Sequence, residues 1–156
     1  MKLLIHAGTH KTATTTFQYL CSENNRLLIE NNLYYPIINA SVKNLGQEIF
    51  GKLRIKNESI NNHSYLAWMI QSEKSGLVTS LLKKFISQAK KNNCESILLS
   101  GEDFENVLVE HSMAKNFESI AIECGFKNIE WVFVKRNSYD YLKSLYSELA
   151  TQGFCF

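Results

Sequence analysis

The side chains best suited to chemistry crowd into one stretch, Met1 to Gln18, MKLLIHAGTHKTATTTFQ. Gly8, Thr9, His10, Lys11 and Thr12 form a polar turn after an apolar run, and Ala13 leads into Thr14, Thr15 and Thr16. An ammonium, an imidazole and several hydroxyls beside a glycine fit an anion with many oxygens, such as a phosphate or phosphosulfate. Gly8 lets the backbone turn tightly and approach a ligand. A helix starting at the threonines would add unpaired backbone N–H groups and a partial positive charge. Two more candidates lie far along the chain: Glu102, after Ser100-Gly101, and Arg136, with Ser144 eight residues later. A carboxylate can take a proton, and a guanidinium grips phosphate oxygens in a forked geometry that lysine cannot match.

The elements that must position these groups follow from periodicity. Leu3-Leu4-Ile5 reads as a strand feeding the polar turn. A helix is expected from about Ala13 to Asn31 or Asn32, with Phe17, Leu20, Cys21, Leu27 and Leu28 on its apolar side. Leu33-Tyr34-Tyr35-Pro36 is short and β-prone. Residues 37–75 carry weak signals, with one short helix expected around Leu45, Ile49 and Leu53 and another at Tyr65 to Ile70. Ser75 is placed to cap a helix over Gly76 to Asn92. Ser96 to Ser100 reads as a buried strand, and Met113, Phe117, Ile120, Ala121 and Cys124 as a helix that Gly125 ends. Ile129 to Val134 is a further strand. Asn137 or Ser138 can cap a last helix with the stripe Leu142, Leu145, Tyr146 and Leu149. Strands alternating with helices predict an α/β fold, a parallel sheet with helices on both faces in three layers. Such sheets bind ligands beyond the carboxyl ends of their strands, and Gly8 to Thr12, Gly101 to Asp103 and Arg136 all lie at such ends.

Composition bounds the rest. The 156 residues suit a single domain spanning 1–156, with an ordinary 45% hydrophobic and 21% charged content for a soluble protein. A net charge of +2 gives no reason to expect nucleic acid as a partner. No apolar run approaches the roughly 18–20 residues of a membrane span. The start of the chain has no signal-peptide pattern, and Cys21, Cys94, Cys124 and Cys155 are scattered. Reduced thiols, a cytoplasmic location and no bound metal are the expectations.

Lys11-Thr12 matches the end of the nucleotide-triphosphatase loop G-x-x-x-x-G-K-[ST], but Ile5 and His10 stand where that motif has its glycines. The segment more closely resembles the phosphosulfate loop of bacterial sulfotransferases that use 3′-phosphoadenosine 5′-phosphosulfate (PAPS), H-x-G-x-x-K-T-G-T-T-x-x-Q. His6, Gly8, Lys11, Thr12, Thr14, Thr15 and Gln18 fall at matching places, and Ala13 replaces the usual glycine. If the backbone at Ala13 needs a positive φ, alanine strains the loop. Leu33-Tyr34-Tyr35-Pro36 and Ser100-Gly101-Glu102 resemble further segments of the family, and Arg136 with Ser144 keeps its arginine-to-serine separation.

The resemblance implies a P-loop NTPase-like, sulfotransferase-like fold and transfer of a sulfuryl group from PAPS to a hydroxyl or amine, leaving adenosine 3′,5′-bisphosphate (PAP). Lys11 would stabilise the leaving phosphate, with His10 a further donor. Gly8 to Thr16 would hold the 5′-phosphosulfate, and Arg136 and Ser144 the 3′-phosphate. Glu102 is either the base for the acceptor proton or a cap on the helix that follows. His6 reads as a structural strand-end residue, and His63 and His111 as surface residues. The acceptor, a small molecule or carbohydrate, is not specified, nor is the oligomeric state. Members of the family are longer, so the resemblance also implies a C-terminally truncated chain. An ATP-dependent small-molecule kinase and a non-catalytic nucleotide-binding module are the rival readings.

Overall fold

The computed structural model describes residues 1–8, 13–37 and 63–151. Thr9, His10, Lys11 and Thr12 lie outside the described residues, as do the helix expected around Leu45, Ile49 and Leu53 and the end of the chain from Gln152.

In chain order the elements are β1 (Lys2–Gly8), α1 (Thr14–Glu23), α2 (Asn25–Glu30), β2 (Leu33–Tyr34), α3 (Ser64–Gln71), α4 (Ser75–Lys91), β3 (Ser96–Ser100), α5 (Phe104–Val109), α6 (His111–Cys124), β4 (Asn128–Val134) and α7 (Ser138–Thr151). The four strands form one parallel sheet in the order β2-β3-β1-β4. The expected α/β class with helices on a parallel sheet is therefore what the chain adopts. Among the described residues no helix is long and apolar enough to cross a membrane.

β1 is central and buried on both faces, which is why its sequence runs apolar without alternation. Leu3, Ile5 and Ala7 enter a large cluster with Ile97, Leu99 and residues of α3 to α6. Leu4, on the other face, packs beside Leu98, Cys21 of α1 and Leu28 of α2. Helices thus cover both faces of the β3–β1 pair, giving three layers. Each fully buried large side chain, such as Leu66, Met69 or Leu82, contributes roughly 1.5–3 kcal/mol of transfer free energy.

The single helix expected over Ala13 to Asn32 is two helices. Asn24 breaks it: its backbone N–H and its Nδ2 both donate to the Leu20 carbonyl, and its φ/ψ of −101/24° leaves the helical well. Side-chain amides compete with the backbone in this way. Asn31 and Asn92 end their helices with the same Nδ2 bond, each 2.8 Å to the carbonyl four residues back. Asn32 and Asn93 then take positive φ, which asparagine tolerates better than most residues. Ser75 does not cap α4; the cap position is Lys74, and Ser75 is the first helical residue. Gly125 ends α6 as expected, at φ 109°, with the Gly125 and Phe126 N–H groups reaching Ile122 and Ala121. This is the Schellman arrangement.

Candidate functional site

The carboxyl ends of β3, β1 and β4 lie side by side, because His6 is in register with Ser100 and Gly8 with Val134. Two described segments that leave those ends carry predicted groups, the Gly101-Glu102 turn and Lys135 to Asn137; Thr9 to Thr12, which follow Gly8 in the sequence, lie outside the described residues. The sheet thus brings together what the sequence separates by over a hundred residues.

The β1–β3 seam holds a buried polar network. His6 is buried, and its Nδ1 lies 2.9 Å from the Ser100 hydroxyl. Burial lowers its pKa, so near neutral pH the ring is uncharged and Nδ1 can accept the Ser100 proton. Gln18 of α1 donates to the same hydroxyl at 3.4 Å. Phe17 stacks a tilted ring on His6, with centroids 4.5 Å apart. His6 is therefore a structural strand-end residue, as expected, and Gln18 shares its partner.

Next to this network Thr14 donates its hydroxyl to Oε1 of Glu102. Thr14 is buried while Glu102 is half-buried. Thr14 is the first residue of α1, so one hydrogen bond joins the threonine run to the turn after β3. Glu102 does not cap α5: that cap position is Asp103, without a side-chain bond. The Thr14 hydroxyl proton is committed to Glu102, so toward an anion Thr14 offers its backbone N–H. Thr15 and Thr16 are exposed in the same first turn.

Ala13 precedes α1 at φ 61°, ψ 23°, the left-handed region, and no side chain among the described residues caps the helix there. The first N–H groups of α1 have no partner within the helix. Alanine stands where the backbone needs a positive φ, the strained alternative set out above.

His63 is a correction. Expected at the surface, it is completely buried. Its Nε2 lies 2.9 Å from the Pro36 carbonyl, which can only accept, so Nε2 carries the proton. Its Nδ1 accepts the Ser100 N–H at 3.0 Å, and its own N–H donates to the Ser100 carbonyl at 2.7 Å. Burial pushes its pKa down to about 4, against a weaker upward pull from the Pro36 and Ser100 carbonyls. One signal could have found it. The run Tyr65 to Ile70 that follows is buried on nearly every side, and the residue just before such a helix is buried with it. His111 is exposed, as expected.

The second group of candidates lies on a more open surface. Arg136 is exposed two residues beyond the end of β4, and Ser144 is half-buried in α7. Asn137 caps α7, its Oδ1 accepting the Tyr139 N–H at 2.9 Å. Of the stripe expected on α7, Leu145 is shielded and the Leu149 side chain lies outside the described residues. Leu142 and Tyr146 are exposed at 61% and 60%, and Tyr141, Ser144 and Leu145 are the shielded positions among the described side chains.

A cleft of about 600 Å³, with Lys2, Lys90 and Lys127 in its wall, opens at the opposite edge of the sheet, among the amino ends of β1, β3 and β4. It is remote from Glu102 and shares no residue with the network. No family model, curated protein or solved structure matches the chain.

Proposed function

We propose that the protein is a sulfotransferase that moves a sulfuryl group from PAPS to a hydroxyl or amine acceptor. The observation that carries this reading is the hydrogen bond from Thr14 to Glu102. It sets the Glu102 carboxylate of the turn after β3 against the start of α1. A helix start after a left-handed residue suits an anion. A carboxylate one residue away suits the proton of an acceptor.

PAPS supplies the sulfuryl group, and PAP leaves. Lys11 stabilises the charge that grows on the departing phosphate. The N–H groups of Thr14, Thr15 and Thr16 hold the 5′ end of the donor. Glu102 takes the acceptor proton as the new sulfur–oxygen or sulfur–nitrogen bond forms. Arg136 and Ser144 hold the 3′-phosphate.

The test is a calorimetric titration with PAP, 5′-AMP and ATP with Mg²⁺. PAP should bind the wild type most tightly, and Lys11→Ala should remove most of that affinity while the protein stays folded. Equal binding of PAP and AMP, or tighter binding of ATP with Mg²⁺, overturns the reading, the latter in favour of a kinase.

A further inference from the structure

The turn that carries Glu102 is held from three directions, none of which touches the Thr14 contact. His6 accepts the Gly101 N–H on its carbonyl at 3.2 Å. The Ser64 backbone presses against Gly101 so closely that a Cβ there would lie 2.9 Å from the Ser64 nitrogen. The third hold is His63: its ring Nδ1 accepts the Ser100 N–H at 3.0 Å, its ring Nε2 donates to the Pro36 carbonyl at 2.9 Å, and its backbone N–H donates to the Ser100 carbonyl at 2.7 Å.

We propose that His63 is a positioning residue for Glu102: by bracketing Ser100 against Pro36 it fixes the direction in which the Gly101-Glu102 turn leaves β3, and so aims the carboxylate at Thr14. The ring is buried among Tyr35, Tyr65 and Phe85, with centroids 4.9, 6.3 and 6.2 Å away. It has no route to a ligand and acts only through Ser100. Its two nitrogens do different work. Nδ1 accepts from the strand end next to Glu102, and Nε2 donates to Pro36 on the other side. The consequence for turnover rests on the reading of Glu102 as the proton acceptor; the consequence for the Thr14 contact does not.

A double-mutant cycle on stability separates the two. Thr14→Val removes the hydroxyl at nearly constant shape. In the wild type it should raise the unfolding equilibrium constant at least tenfold, the usual scale for a hydrogen bond to a charged group. In a His63→Leu background the same change should cost less than about threefold, because the carboxylate is no longer aimed. A histidine that only fills the core would leave the Thr14 cost unchanged, and that additivity overturns the proposal.

His63→Asn and His63→Gln repeat the comparison if His63→Leu does not fold. Asparagine keeps an acceptor near Nδ1 and should restore the full Thr14 cost; glutamine keeps a donor near Nε2 and should not. Restoration by neither, or by glutamine alone, also overturns it. Turnover with PAPS adds a separate arm: His63→Gln should lower kcat while leaving PAP affinity within about threefold. If the wild type binds no PAP, the sulfotransferase reading fails, and the stability cycle still decides the role of His63.

Discussion

The two seams of β1 are built differently. Toward β4 the ladder is the longer one, running from Lys2–Asn128 to Gly8–Val134. Yet Val132 and Phe133 on that strand are 47% and 46% exposed, and the ion pair that crosses this seam, Lys2 to Glu130, lies at the surface. Toward β3 the ladder is shorter, but its end is buried and cross-linked by His6, Gln18, Ser100 and His63. Backbone pairing alone therefore does not mark the site. Side-chain hydrogen bonds inside the core do, since there a missing partner costs its full desolvation. The proposed phosphosulfate end lies on the buried seam and the proposed 3′-phosphate end on the open one. Substitutions in the buried His6–Gln18–Ser100–His63 network should act through the fold, and those at the exposed end of the second seam mainly through ligand contacts.

The largest expected difference is in acid. The pKa of His63 is about 4 in the folded protein, against an ordinary 6.5 in the unfolded chain. Between those values the unfolded chain binds a proton that the folded one refuses, so stability rises with pH through the window. The contribution is complete above about pH 6.5 and is lost as pH falls to 4. At 1.36 kcal/mol per unit this amounts to about 3 kcal/mol. Denaturant unfolding of wild type and His63→Asn at pH 7, 6, 5 and 4 isolates it, because His6 is common to both. Parallel pH curves for the two proteins would contradict a neutral, buried His63.

On the open seam the corresponding test is of affinity. Arg136→Ala should weaken PAP by about 1.5–3 kcal/mol, one to two decades, and leave 5′-AMP nearly unchanged. Its loss of stability should be small beside that loss of affinity. A loss of stability equal to the loss of affinity would make Arg136 structural and erase the contrast between the seams.

The next pair compares the seams by packing. Gly101→Ala pushes a methyl group to 2.9 Å from the Ser64 nitrogen and 3.2 Å from the His63 carbonyl carbon. Both are backbone atoms, so the turn itself must shift, at about 1–3 kcal/mol. Val132→Thr on exposed β4 should stay within about 0.5 kcal/mol. Similar costs for the two would mean that the β3 turn is as yielding as the sheet edge.

Most of the fold was legible because its signals are local. Ser96 to Ser100 matches β3 residue for residue, and Gly125 ends α6 where its conformational freedom is needed. The asparagine pair that signals a stop at Asn31-Asn32 recurs at Asn24-Asn25, where the helix also breaks. Leu20, Leu27 and Leu28 continue a helical period across that break and hide it in the sequence. The site was legible only as a set of residues at strand ends. Its wiring was not, because Thr14 with Glu102 and His63 with Ser100 are long-range bonds that leave no periodic trace. Nor was the outward turn of Leu142 and Tyr146, since an apolar stripe shows that a face can be covered but not what covers it.

The smallest expected effect concerns the residue that joins the two halves of the first motif. Ala13 holds φ at 61° immediately before α1. A left-handed backbone brings the Cβ of any L-residue too close to the next carbonyl, at roughly 1–2 kcal/mol. Glycine escapes that clash but loses more freedom on folding, an offset of about 0.4–1 kcal/mol. Ala13→Gly should therefore stabilise the protein by about 0.5–1 kcal/mol in denaturant unfolding. Ala13→Val, with a branched Cβ in the same clash, should destabilise it by more than that. The two signs together are the test, because a right-handed backbone would reverse the first and shrink the second. Under the proposed function the same glycine should leave PAP affinity unchanged or raise it, since the N–H groups that face the anion follow this φ. A glycine that stabilises the fold yet abolishes PAP binding would detach the helix start from the ligand.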